Sequence, residues 1–268
     1  MMTPPTVRPV PVQVIGGGGP ATDAVAVEEP LEVRISHGPD RRRFVLAVTL
    51  RTPGHDAELA AGLALTDGLI ESAADLRGVH QDGPNELRLE LAPDVPVDEV
   101  RHARSGYTSA ACGVCGKTHL DAVLRRLDPL PPDALCVPAA VLLGLPETLR
   151  TAQPGFTACG GLHAAGLFTP AGELLAAFED VGRHNAVDKL IGAALLRGEP
   201  TAGRLLCVSG RAGFELVQKA AVAGVPVFAA VGAASSLAVE LAGRVGMTLA
   251  GFVRGGRATV YTGAGRLS

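Results

Sequence analysis

The residues best suited to chemistry form one short run, Ala111-Cys112-Gly113-Val114-Cys115-Gly116. Two thiols three apart, separated and followed by glycine, sit where backbone amides can turn toward sulfur. Such amides, or a nearby cation, lower a thiol's pKa, and the thiolate is the reactive form. Three chemistries use such a pair. A structural zinc site needs four ligands, and one Cys-x-x-Cys supplies two. The remaining candidates, His119, Cys136, Cys159 and Cys207, form no second Cys-x-x-Cys and no His-x-x-x-His pair. A thioredoxin-type dithiol belongs between a strand and its helix early in a fold, whereas this pair lies mid-chain with no such strand evident. Sulfur transfer, in which one cysteine accepts a persulfide sulfur and passes it on, needs an exposed thiolate on a mobile segment. The structural alternative, two cysteines merely packed in a turn, fits the neighbouring glycines poorly.

A second constellation runs Phe178-Glu179-Asp180-Val181-Gly182-Arg183-His184-Asn185-Ala186-Val187-Asp188-Lys189. It crowds acids, bases, an amide and an imidazole into a predicted strand-to-helix turn, and open α/β sheets place ligands at the carboxyl ends of their strands. The plain alternative has Asn185 capping the helix while Glu179 and Arg183 pair on the surface, and spacing alone does not separate the two. Third is a glycine-punctuated series: Ser209–Gly213, Gly232–Ser236 and Phe252–Arg257. The first two fall between a strand and a helix, where free N–H groups and the helix dipole favour anions. The third adds Arg254 and Arg257, whose guanidiniums can fork onto phosphates. From Leu190 to Ser268 there are eight basic residues against three acidic ones, although the whole chain carries −3. That balance points to a nucleotide or phosphorylated cofactor. Neither a Walker A motif nor G-x-G-x-x-G after a strand is present, which excludes the ordinary ATPase and Rossmann readings.

The elements that must position these groups follow from periodicity. Residues 1–27 read as a flexible leader, with prolines and the Gly16–Gly19 run instead of an apolar signal core. Leu31–Ser36 and Phe44–Leu50 alternate as a hairpin, Asp56 is placed to cap a helix through Leu65, and Leu76–Gln81 with Glu86–Leu91 makes a second hairpin. Helices are predicted at Lys117–Leu127 and Ala139–Leu149. Strands then follow at Leu162–Phe168, Leu174–Val181, Leu205–Ser209, Val225–Val231, Met247–Arg254 and Ala258–Thr262. Helices are set between them from Asn185, over Phe214–Ala223 and over Ser236–Val245. Strands alternating with helices predict βαβ units and a partly parallel sheet covered by helices. The fold class is therefore α/β, or α+β overall: a small N-terminal α+β domain over 28–127 and an α/β domain over 128–268.

Composition sets the outer bounds. The 268 residues are 47% hydrophobic and 19% charged, so a core is available and disorder is excluded. Aromatics are 3% with no tryptophan, which with the negative charge argues against a nucleic-acid binder. The uncharged stretch Ala220–Val239 is broken by Gly224 and Pro226, and reads as a buried strand and helix rather than a membrane span. Five cysteines do not make a disulfide scaffold, so the expectation is a cytoplasmic chain with reduced thiols.

The motifs taken in order resemble a family. Arg51-Thr52-Pro53-Gly54, Gly62, Asp67-Gly68-Leu69-Ile70, Cys112-Gly113-Val114-Cys115-Gly116 and Gly160-Gly161-Leu162-His163-Ala164-Ala165 stand as in the FdhD proteins, the formate dehydrogenase accessory sulfurtransferases. Glu179–Lys189, Ser209-Gly210-Arg211 and Gly251-Phe252 complete the likeness, which spans about residues 28–264. It implies a cytidine-deaminase-like, three-layer C-terminal domain and a homodimer. It also implies a sulfur carrier that takes persulfide sulfur from a cysteine desulfurase and delivers it to the molybdenum cofactor of formate dehydrogenase, with bis-molybdopterin guanine dinucleotide as bound cargo. By position, Cys112 is the implied persulfide carrier with Cys115 assisting, and Phe252, Val253, Arg254, Gly255, Gly256 and Arg257 are the implied cofactor-binding stretch. Ala111 stands where the family commonly has Ser, and Cys159 where it commonly has Thr. Neither His-x-Glu nor Pro-Cys-x-x-Cys is present, so a deaminase-like fold implies no deamination. The competing reading is a non-enzymatic cofactor-binding chaperone whose cysteine pair holds a metal.

Overall fold

The computed structural model describes residues 6–16, 19–102, 127–131 and 135–268. Cys112, Cys115, His119 and all but the last residue of the expected helix Lys117–Leu127 lie outside them. Two larger sheets and a small hairpin organise the chain. Strands β3 (Glu29–His37), β4 (Arg42–Arg51), β5 (Leu76–Gly83) and β6 (Glu86–Leu91) form a four-stranded sheet in the order β4-β3-β6-β5. Helix α1 (Asp56–Thr66) covers it, burying Leu59, Leu63 and Ala64 against Leu31, Val33, Ile35 and Leu89. The expected cap differs. His55 is the N-cap in a left-handed conformation, and Asp56 instead holds the buried Arg51 through two bonds of 2.9 and 2.8 Å. A buried guanidinium competes for that carboxylate more strongly than a helix N–H does.

Within the stretch expected as a leader, β1 (Val7–Val14) and β2 (Gly19–Ala26) pair antiparallel in full register. Alternate valines and the left-handed Gly16 and Gly19 make a hairpin of it. Helix α2 (Glu99–His102) is tied back by Glu99, which meets His37 at 3.0 Å and Arg42 at 2.8 Å.

The second sheet has six strands: β7 (His163–Phe168), β8 (Leu174–Asp180), β9 (Leu205–Val208), β10 (Val227–Ala230), β11 (Thr248–Arg254) and β12 (Arg257–Thr262), in the order β12-β11-β10-β9-β7-β8. The β9–β10 and β10–β11 pairs are parallel, and β7 runs antiparallel to both β8 and β9. Alternating residues of β9 and β10 enter opposite cores. Leu206, Val208, Phe228 and Ala230 face helices α5 (Arg183–Arg197), α6 (Phe214–Val222) and α7 (Ser236–Arg244). Leu205, Cys207, Val227 and Ala229 face helix α3 (Ala139–Thr151). A sheet covered on both faces needs such all-apolar strands, so this half is a three-layer α/β/α stack. Among the described residues no helix is long and apolar enough to cross a membrane. Ala220–Val239 ends α6, forms β10 and begins α7.

Candidate functional site

The Glu179–Lys189 block is mostly spent on joining the two sheets. Asp180 is fully buried and accepts from Gly182 N–H at 2.8 Å, Asn185 Nδ2 at 3.0 Å and Thr52 N–H at 3.1 Å. Lys189 Nζ lies 2.7 Å from Oδ2, the oxygen that takes the Thr52 N–H, and also donates to the Thr52 carbonyl at 2.8 Å. Burial pushes the Asp180 carboxyl up, and Lys189, Gly182 and Asn185 oppose that push. Asn185 donates to the Leu50 carbonyl at 2.8 Å and caps no helix. Asp188 accepts from Lys219 with both oxygens at 2.8 Å, and Thr66 of α1 donates to it at 2.9 Å. Helices α1 and α5 touch at Gly62 and Gly192, where an added Cβ would fall 1.9 Å from the Asp188 and Glu58 carbonyl oxygens. Glu179 does more than sit on the surface. It accepts the Gly155 and Phe156 N–H groups at 2.8 and 2.7 Å, holding the start of helix α4 (Pro154–Cys159).

The three glycine turns converge at the carboxyl end of the parallel strands. Gly232 N–H donates to the Gly210 carbonyl at 2.9 Å and Phe252 N–H to the Gly232 carbonyl at 2.9 Å. An added Cβ on Gly251 would meet that same Gly232 oxygen at 3.1 Å, tighter than an ordinary Cβ contact, so the close approach favours glycine. Phe252 holds the left-handed conformation (φ 51°) and is 40% exposed. Conformations so rarely adopted by a bulky side chain cluster where a fold serves a ligand.

Beside these turns opens a cavity of about 660 Å³. One wall is the loop Gly160–His163, another Ser209 and Val231, and a third Arg254-Gly255-Gly256. Helix α3 closes it with Leu143, Pro146, Glu147 and Arg150, and Phe156 adds an aromatic face with the Arg150 guanidinium 4.7 Å above its ring. The size and the mixture of apolar wall with a few convergent charges suit a nucleotide-sized ligand. Of the implied cofactor stretch, Arg254, Gly255 and Gly256 line this cavity. Phe252 is exposed with the Arg254 guanidinium 5.7 Å from its ring, and Arg257 is exposed opposite Arg254 in the β11–β12 register. Val253 is fully buried against α3, so its side chain serves the core. His163 is half-buried on the cavity wall. Burial, then the charges of Arg183 and His184, lower its pKa, against a raising influence from Asp180.

Sequence reasoning missed the α3 wall, although Leu143, Pro146, Glu147 and Arg150 repeat at i, i+3, i+4 and i+7, the spacing of one helical face. The fold treats differently the cysteines that the sequence offered as further zinc candidates. Cys207 is fully buried and its thiol is pushed up to about 12, Cys136 is exposed, and Cys159 Sγ accepts the Gly161 N–H at 3.4 Å. Among the described residues no three His, Cys, Asp or Glu side chains gather as a metal site.

This geometry has close relatives. A protein of Nocardia farcinica described as sulfur carrier protein FdhD is 50% identical over 257 residues, covering 91% of this chain and 88% of the relative. One of Streptomyces avermitilis with the same description is 46% identical over 260 residues, 92% of this chain and 89% of that one. A crystal structure from Desulfotalea psychrophila, described as a formate dehydrogenase accessory protein, superposes with a TM-score of 0.81 at 26% identity over 98% of this chain and all of that one. The sequence pattern of the FdhD/NarQ family matches residues 26–268, and the chain belongs to that family.

Proposed function

We propose that this chain is a cytoplasmic sulfur carrier serving formate dehydrogenase, a sulfurtransferase that works through a persulfide on Cys112. The observation that carries the reading is the cavity where Gly160–His163, Ser209 and Arg254–Gly256 meet, in a chain whose relatives are described as sulfur carriers. The Cys112 thiolate attacks the terminal sulfur of a cysteine desulfurase persulfide, forming Cys112–S–SH and releasing the desulfurase thiolate. The Cys115 thiol then attacks the Cys112 sulfur. A Cys112–Cys115 disulfide forms, its two electrons reduce the outer sulfur to sulfide, and sulfide passes to the cargo. A cellular dithiol reductant restores the pair.

The cargo in this reading is bis-molybdopterin guanine dinucleotide. Its phosphates suit Arg254 and the backbone of Gly255 and Gly256, and its planar rings suit the apolar cavity wall. Two copies of the chain act together as a homodimer, each presenting one cavity. The test is to expose the protein to a cysteine desulfurase and cysteine, digest it, and weigh the peptide spanning Ser105–Lys117. One added sulfur that disappears in Cys112→Ala is expected. A sulfur retained on Cys115 in that variant, with full activation of formate dehydrogenase, overturns the assignment.

A further inference from the structure

The cavity wall formed by α3 carries a charge that the fold does not use. Leu142, Leu145 and Leu149 bury against the sheet, while Leu143, Pro146, Glu147 and Arg150 line the cavity. Arg150 is engaged, stacked on Phe156 and donating to Thr157 Oγ1 at 2.9 Å. Among the described residues, Glu147 makes no ion pair and no side-chain hydrogen bond, although Arg150 stands three positions along the same helix. It is the one acidic group on a lining that holds Arg150 and Arg254. A carboxylate offers acceptors only. Exposed on a cavity lining that also holds the Phe156 ring, it suits the edge of a flat ring that presents two adjacent N–H donors.

Guanine and pterin both present that edge, a ring N–H next to an exocyclic amine on a 2-amino-oxopyrimidine. We propose that Glu147 reads this edge through two charge-assisted hydrogen bonds while the ring lies against Phe156 and the phosphates reach Arg254. The inference rests on the reading of the cavity as the cargo site, and the experiment separates the two.

Calorimetry on the full chain compares GDP, IDP (which lacks the amine), ADP and 6-hydroxymethylpterin, with wild type, Glu147→Gln, Glu147→Ala and Arg254→Ala. If guanine is read, wild type favours GDP over IDP. Glu147→Gln then weakens GDP by about ten- to hundredfold, the cost of losing a charge-assisted pair, and leaves ADP unchanged. If the pterin is read instead, the same loss falls on the pterin arm and spares GDP, and the proposal stands with that source. If ligands bind and respond to Arg254→Ala but neither Glu147 variant changes any preference, Glu147 is a solvating charge. The inference then fails while the cavity reading survives. If wild type binds none of the four, both fall.

Discussion

Replacing Lys189 by methionine isolates the worth of the charge that joins the two sheets. The ammonium is 98% buried at its side chain, 2.7 Å from a carboxylate with no exposure at all. Methionine keeps most of the alkyl volume, so little cavity opens. What remains is Asp180 with three neutral donors and no counter-charge, and a Thr52 carbonyl without its partner. Removing one member of a buried pair costs about 3–5 kcal/mol. A whole domain is stable by about 5–15 kcal/mol, so the variant should lose about a fifth or more of its stability. For a chain of this size that lowers the melting temperature by about 6–20 °C, taking roughly 2–4 °C per kcal/mol. Urea titration with matched scanning fluorimetry reads the loss. The double variant Asp180→Asn/Lys189→Met removes the stranded charge and should regain more than half of it. A loss under about 1 kcal/mol in the single variant would mean the pair is solvated, not buried. A double variant no more stable than the single one would refute the stranded-charge argument.

Gly192→Ala should cost about 1–3 kcal/mol or more, because its Cβ meets backbone that cannot turn aside. Gly144→Ala, with open space around its Cβ on the exposed side of α3, should gain about 0.5–1 kcal/mol, and melting curves that rank the two otherwise contradict the packing. His163 holds its proton less tightly in the folded protein than in the unfolded chain, whose value is about 6.5, so acidification through that pH favours unfolding. Stability should fall as pH drops below about 6.5 and level off beneath the lowered folded value, and His163→Gln should flatten that component; equal slopes in both proteins would remove His163 as its source. In native protein a brief iodoacetamide pulse should modify exposed Cys136 and leave buried Cys207 intact, as peptide mass mapping will read; equal labelling contradicts the placement of Cys207.

Local pattern made most of the fold legible. The alternation of Leu31–Ser36 and the apolar runs Leu205–Cys207 and Val227–Ala229 mark strands because burial on one face or on both leaves a direct print in sequence. The glycine turns were legible too, since the positive φ of Gly255 and Gly256 and the tight surroundings of Gly232 and Gly251 favour glycine. The roles of Asp180, Asn185 and Lys189 were not, because their partners Thr52 and Leu50 lie well over a hundred residues away in sequence. A polar cluster at a strand end looks the same whether it faces a ligand or another sheet. The hairpin at Val7–Ala26 was hidden by its prolines and glycines, which mark turns and edges as readily as loose chain.

The seam between the sheets also sets a schedule for synthesis. Thr52 meets Lys189 across 137 residues. A ribosome adding about 5–20 residues per second takes roughly 7–27 s to supply that distance. Until then the first sheet has emerged without its partner helix, with Gly62 facing nothing and the Thr52 carbonyl lacking the Lys189 ammonium. Each nascent chain therefore passes through a window in which its N-terminal half needs shielding. Slowing translation between Thr52 and Lys189 should raise the demand for chaperones more than slowing it after Lys189.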